Sequence, residues 1–387
     1  MGIPSKERFK AGARRVLGLA GAAMLGLSAS AGLAQQTLNF GKPGEPVKLV
    51  VGYQPYYTES WSGVVMRSKK FYEKYLPAGS QVEFQIGLQG AIIVNNMLAG
   101  KQHIGYMGDM PAIVSTTKQN VADIRIVANL GLGWDQCNAF LVRTDAPQFN
   151  SDKEAIQWLS GKQVAVPKGS CTDRFAQAVF KKFNVQPAAY LNQNIEVITS
   201  GFRAKKLDAA VIWEPTASRL VEEGLARLVA TGRSAQENDG GFLAMRADLI
   251  QQRPDVVKAW LQAELDAQLF LADPKNAAEV VKMAQEQTTG FPVKALWKSL
   301  YGEHAKEAGG GPERILLHYT ITPEAEELLK RATAFLYEIK TIDTPQLRPE
   351  AVMPQFTREI LKERGLTAPI GVVKAQPESA FQAAFKQ

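Results

Sequence analysis

An α/β fold in two sheet-and-helix units is what this sequence predicts, and three observations carry that expectation. From Val47 onward short apolar runs alternate with longer amphipathic segments, the rhythm of strands and helices taken in turn. The alternation completes one series near residue 130 and then begins a second. With a leader-like N-terminus set aside, about 350 residues remain, enough chain to bury two separate cores.

Val47-Lys48-Leu49-Val50-Val51-Gly52 reads as the first strand, residues 60–75 as a helix, and Gln81-Val82-Glu83-Phe84-Gln85 as the second strand. A helix over 91–98, a strand at His103-Ile104-Gly105-Tyr106, a helix over 111–117 and a strand at Ile124-Arg125-Ile126-Val127-Ala128 complete the first series. The second opens with a strand at Ala139-Phe140-Leu141-Val142, a helix over 155–159, a strand at Gln163-Val164-Ala165-Val166 and a helix over 172–183. Glu196-Val197-Ile198, Ala209-Ala210-Val211-Ile212 and Ala226-Arg227-Leu228-Val229-Ala230 read as its remaining strands. Gly240-Gly241-Phe242-Leu243-Ala244-Met245 is a strand that returns to the first unit. Helices are expected over 255–271, 277–286, 292–300 and 323–337, and the sheets are expected to be largely parallel. The expected division is therefore 1–34 as leader, 35–138 with 240–365 as one lobe, 139–239 as the other, and a poorly ordered Pro- and Ala-rich tail over 366–387.

The leader has the parts of a secretory signal peptide. Lys6, Arg8, Lys10, Arg14 and Arg15 precede an apolar run from Val16 to Leu27, and small residues end at Ala34, after which cleavage is expected. That run is too short for a membrane span, which needs about 20 residues. Arg14-Arg15 leaves the twin-arginine and the general export routes both open. The leader also explains the charge. The whole chain carries +7, of which five cations and Glu7 place +4 in the first 34 residues, leaving +3 for the rest. So small an excess points away from nucleic acid. Cys137 and Cys171 are the chain's two cysteines. An even count in an oxidising compartment favours a bridge between them, and two buried free thiols are the alternative.

Chemistry is expected where loops leave the carboxyl ends of strands. Gly52-Tyr53-Gln54-Pro55, Gly87-Leu88-Gln89-Gly90, Gly108-Asp109-Met110-Pro111 and Lys168-Gly169-Ser170-Cys171-Thr172 all sit there. Helix-start amides with Ser or Thr hydroxyls bind anions without a full cation. Each turn alone also reads as a plain cap. An enzyme would need a nucleophile with its base, or a metal cluster. His103, His304 and His318 lack metal-ligand spacing, and Cys171 has no histidine partner in sequence. The expectation is a non-enzyme with no cofactor.

Taken together, Gly52-Tyr53-Gln54, Met97-Leu98-Ala99-Gly100 with Ile104-Gly105 and Gly108-Asp109-Met110-Pro111, the run Gly161 to Ser170, and Leu207-Asp208-Ala209-Ala210 with Trp213-Glu214-Pro215 resemble the solute-binding proteins of the sulfonate, taurine, nitrate and thiamine-precursor transporters. The resemblance covers the chain from about Val47 to Tyr301 and implies a type II periplasmic binding-protein fold, two lobes on a hinge of crossover strands with a helical C-terminal region. It implies a monomer in the periplasm that closes on a small molecule and docks on an ABC transporter permease. Carried over by position, Tyr53, Gln54, Tyr57, Thr58, Gln89, Asp109, Ser170, Cys171, Thr172, Trp213 and Glu214 line the cleft, and Trp134 is expected there by residue type. Asp109 and Glu214 would meet an amine, with Glu214 as a helix cap the alternative; the tryptophans and tyrosines would enclose an apolar body. Cys171 and the stretch Trp134-Asp135-Gln136-Cys137 depart from the alkanesulfonate pattern. The ligand expected is an organic anion or zwitterion such as an aliphatic sulfonate or taurine. Nitrate- or bicarbonate-like ions, a heteroaromatic thiamine precursor, and a precursor-synthesising enzyme of the same fold stand as alternatives.

Overall fold

The computed structural model describes residues 37–385; the leader lies outside them. Along the chain, β1 (Lys48–Tyr53), α1 (Trp61–Lys69), β2 (Gln81–Ile86), α2 (Gly90–Leu98), β3 (Ile104–Gly108), α3 (Asp109–Thr116) and β4 (Ile124–Gly133) build the first lobe. The chain then crosses to β5 (Ala139–Arg143), α4 (Asp152–Trp158), β6 (Gln163–Val166), α5 (Cys171–Phe183), β7 (Ala189–Asn192), α6 (Ile195–Arg203), β8 (Ala209–Ile212), α7 (Thr216–Glu222) and β9 (Ala226–Thr231). A single turn, α8 (Gly232–Ala235), leads back through β10 (Asp239–Arg246) to the first lobe. There α9 (Ala247–Gln252), α10 (Pro254–Ala272), α11 (Ala277–Gln287), α12 (Val293–Leu300), β11 (Glu313–Leu317), α13 (Pro323–Glu338), α14 (Gln355–Glu363), β12 (Gly371–Lys374) and α15 (Glu378–Ala384) follow.

Seven strands in the order β12-β11-β4-β10-β3-β1-β2 form one sheet and five in the order β7-β6-β8-β5-β9 the other. Both are mixed, not largely parallel as expected. β1 pairs in parallel with β2 and β3, and β6 with β7 and β8, whereas the strands entering and leaving each lobe run antiparallel to their neighbours. The reason is topological: a chain that leaves a lobe and returns must run its exit and entry strands in opposite directions. β4 and β10 lie side by side, with Gly133 opposite Asp239 where the two crossovers begin. The crossovers then touch. Gly232 N donates to the Trp134 carbonyl at 2.7 Å, and a Cβ on Gly232 would lie 2.5 Å from that oxygen, so only glycine fits.

Period-2 alternation gives each sheet two dry faces. In β5, Phe140 and Val142 enter the cluster with Phe175 and Val211, while Ala139 and Leu141 enter the one with Ile198 and Ile212. Leu49, Val51, Trp61 and Trp260 fill one side of the larger sheet, and Ile93, Met107, Phe242 and Leu328 the other.

Two expectations fail for identifiable reasons. Glu196-Val197-Ile198 is helical in α6: Asn194 accepts from Val197 N as the cap, and Ile195, Ile198 and Phe202 recur at helical spacing to form the buried face. The tail is not a loose end. β12 pairs with β11, burying Val373, and Phe381 and Phe385 pack on the Trp297 ring; Lys386 and Gln387 lie outside the described residues.

Residues ahead of β11 also reach the second lobe. Lys294 and Lys298 of α12 pair with Glu222 of α7 at 3.5 and 2.5 Å. The Arg219 guanidinium lies 4.5 Å over the Phe291 ring, and Thr231 Oγ1 donates to the Gly309 carbonyl at 2.7 Å.

Candidate functional site

A cavity of about 370 Å³ opens between the lobes. The first lobe supplies Gln54 and Tyr57 from the loop after β1, Gln89 to Ala91 from the start of α2, and Gly108 and Pro111 around the start of α3. The second supplies Pro167 to Cys171, the turn between β6 and α5, and Trp213 after β8. Two helix starts, α2 and α5, thus face one space from opposite lobes. Apart from Ile92 N and Asp173 N, which donate to the Gln89 and Ser170 carbonyls at 3.1 Å, the first-turn amides are donors at the positive end of each helix dipole. Among the described residues Lys168 is the cationic side chain of the cavity wall; Val94, Pro111, Val114, Pro167 and Trp213 make much of the rest apolar.

Of the residues expected at the site, Gln54, Tyr57, Gln89, Ser170, Cys171 and Trp213 line this cavity. Thr172 lies beneath it, fully buried, its hydroxyl 2.6 Å from that of Ser170. Cys171 is bridged to Cys137, with Cα atoms 6.0 Å apart.

Five others are placed elsewhere. The Tyr53 hydroxyl accepts from Arg67 at 2.5 Å, and its ring packs edge-on against Phe84 in the core. Thr58 Oγ1 donates to Gln136 Oε1 at 2.5 Å. Trp134 lies under Arg233 and lines a separate, smaller cavity. Glu214 accepts from Ser218 N at 2.9 Å and from Ser218 Oγ at 2.8 Å, which makes it a cap on α7. Asp109, fully buried, accepts from Arg174 Nη2 at 2.9 Å.

Burial raises the pKa of each of the acids beneath the cavity. Burial, with repulsion from Asp239 and Asp109, pushes the Glu59 carboxyl well above the usual range, and Tyr57 Oη donates to it. Asp239 is raised in the same way by burial and by Asp109. Burial lifts Asp109 too, against the pull of Arg174, and lifts Glu214 to about 7.

Sequence reasoning did not assign Lys168, although it stands in a quoted motif. It also missed Arg174, the true partner of Asp109, which nothing in local spacing reveals.

Two lobes closing on a cleft at the ends of their strands define the architecture of a solute-binding protein. The alkanesulfonate-binding protein SsuA from Xanthomonas axonopodis pv. citri, solved with MOPS, superposes with a TM-score of 0.61 at 19% identity, covering 81% of this chain and 99% of that one. The periplasmic nitrate-binding protein NrtA from Synechocystis PCC 6803 gives 0.65 at 16%, covering 85% and 92%. The desulfurization enzyme DSZB shares the fold as well, with 0.58 at 16%, covering 82% and 99%. In sequence, the taurine-binding periplasmic protein of Escherichia coli (strain K12) is 22% identical over 253 residues, 62% of this chain and 74% of that protein. The model of the NMT1-like family matches residues 42–285, and the chain belongs to that family.

Proposed function

We propose that this protein captures a small organic anion, an aliphatic sulfonate first among them, and presents it to the membrane permease of an ABC uptake system. The observation that supports this most is the pairing of two opposed helix starts and Lys168 with an otherwise largely apolar wall. An oxyanion head group would take the amides and hydroxyls while its hydrocarbon covers Trp213 and Tyr57. The names of the taurine- and alkanesulfonate-binding relatives agree with that chemistry. Periplasmic residence is part of this proposal, supported by the signal-peptide reading of the N-terminus and by the periplasmic relatives.

An amine is no longer the expected partner of Asp109 or Glu214, because those carboxyls are taken by Arg174 and by Ser218. Taurine therefore ranks beside ethanesulfonate rather than above it. A reading as a binding protein is supported by the taurine-, sulfonate- and nitrate-binding relatives.

Titration calorimetry with ethanesulfonate, taurine, propionate and nitrate tests the proposal. Sulfonate binding with a one-to-one stoichiometry is the expected outcome. No heat and no thermal shift with any sulfonate would defeat it.

A further inference from the structure

A second cavity, of about 200 Å³, lies between the lobes beside the first, and Gln89 and Trp213 line both. The first lobe adds Tyr56 and Phe291 to its wall, and the second adds Glu196, Thr216 and Arg219. Among the described residues each cavity thus has one cationic side chain, Lys168 in the first and Arg219 in the second, with Trp213 in the wall they share.

Arg219 is not spent on a protein partner. Its side chain is 17% exposed, and its guanidinium lies 4.5 Å over the Phe291 ring, a contact that uses no N–H. Nη2 donates to Thr199 Oγ1 at 3.5 Å, the outer limit for such a bond. Nε stands 3.8 Å from Glu223 Oε1 and has no hydrogen-bond partner among the described residues. A guanidinium carries more N–H donors than these contacts use. Glu196, the acid in the same wall, is exposed, so solvent weakens its effect on an anion.

A short sulfonate does not account for both cavities. The first alone falls within the range of roughly 300–1,000 Å³ that encloses drug-sized ligands, and its donors for the head group are the helix starts and Lys168. A chain that leaves that head group along Trp213 comes to Arg219. There a methyl end would strip water from a cation and return nothing, whereas an anionic end would form charge-assisted hydrogen bonds. We infer that the ligand is a linear dianion, a sulfonate with a carboxylate or a second sulfonate at its far end, and that Arg219 receives that end in the second cavity. The inference rests on the sulfonate reading of the first cavity and makes Arg219 a specificity-determining residue.

Titration calorimetry with sulfoacetate, sulfobutyrate and sulfohexanoate against ethane-, butane- and hexanesulfonate tests it, because the members of each pair differ only in whether the far carbon is a carboxylate or a methyl group. At one or more of these lengths the dianion is expected to bind about 10- to 100-fold more tightly, the range for a hydrogen bond between charged groups. Arg219→Gln should bring the two members of that pair to within about two-fold of each other. Arg219→Lys, which keeps the charge without the planar fork, should retain part of the preference. Circular dichroism identifies a variant that fails to fold, and the wild-type pairs are decisive without it. Alkanesulfonates that bind wild type as tightly as their dianions at every length would overturn the inference and leave the sulfonate reading standing. A folded Arg219→Gln protein that keeps the full preference would overturn the role of Arg219, and no binding by any member would sink both readings.

Discussion

Cys171, the first residue of α5 and part of the cavity wall, is bridged to Cys137 in the crossover that leads into β5, 34 residues earlier. The bond ties the helix start in the cavity wall to the crossover between the lobes. Purified, unreduced protein should show no reactive thiol when denatured and two after reduction. Cys137→Ser with Cys171→Ser is expected to lose about 3–4 kcal/mol of stability, the loop-closure value for a bridge of this span, seen as a lower chemical-denaturation midpoint. Free thiols before reduction would contradict the bridge.

Trp213 is the largest apolar group from the second lobe in the cavity wall. Replacing it with alanine should weaken a hydrocarbon-bearing sulfonate by about 1.5–3 kcal/mol, the scale for a large apolar contact, and nitrate far less. Calorimetry with both anions reads the contrast, and an equal loss for the two would place the hydrocarbon elsewhere.

Lys168 projects from the turn before α5, exposed apart from its contact with the Tyr190 ring. A solvated cation of this kind contributes about 0.5–1 kcal/mol to holding an anion. Lys168→Ala should therefore reduce sulfonate affinity two- to five-fold at low salt, and the difference should shrink as ionic strength shortens the screening length. A salt-independent loss would mean that the lysine acts through packing.

Glu214 offers a pH test. Its carboxyl titrates near 7 in the folded protein instead of 4.5, because burial outweighs its hydrogen bonds from Ser218. Between those values the folded protein holds a proton that the unfolded chain has released, so this group lowers stability as pH rises through the window. The full effect is about 3 kcal/mol at most. His103, lowered to about 4 by burial, acts in the opposite sense between pH 4 and 6.5, so the difference between variant and wild type is the useful quantity. Glu214→Gln, which keeps both contacts with Ser218, should match wild type near pH 4.5 and exceed it in thermal midpoint at pH 8, with sulfonate affinity unchanged. A variant less stable at pH 8 would show that the ionised carboxylate is required.

Local pattern carried a good deal of this architecture. The four long helices after Pro254 lie within one or two residues of their expected limits, because their apolar spacing and flanking prolines are local signals. Where two signals competed, the outcome was harder to read. Val197 and Ile198 favour a strand by side-chain type, and only the cap at Asn194 with the spacing to Phe202 tips the segment to helix. The tail was masked by its composition: Val372 and Val373 form a strand because β11 offers an unpaired edge far away in sequence. Around the cavity, glycine-rich turns carry Gln89, Ser170 and Cys171 to its wall. The carboxylates misled for one physical reason. An acid's role depends on what faces it, and the partner of Asp109 lies 65 residues away on another lobe.

The contact between α12 and α7 bears on how the molecule can move. Two crossovers lying side by side would let one lobe twist, rock and swing against the other. A third attachment, made by Lys294, Lys298 and Glu222, opposes such movement for as long as it holds. The C-terminal third of the chain, which contributes little more than Thr341 to the cavity wall, then acts as a guide rail for the cleft.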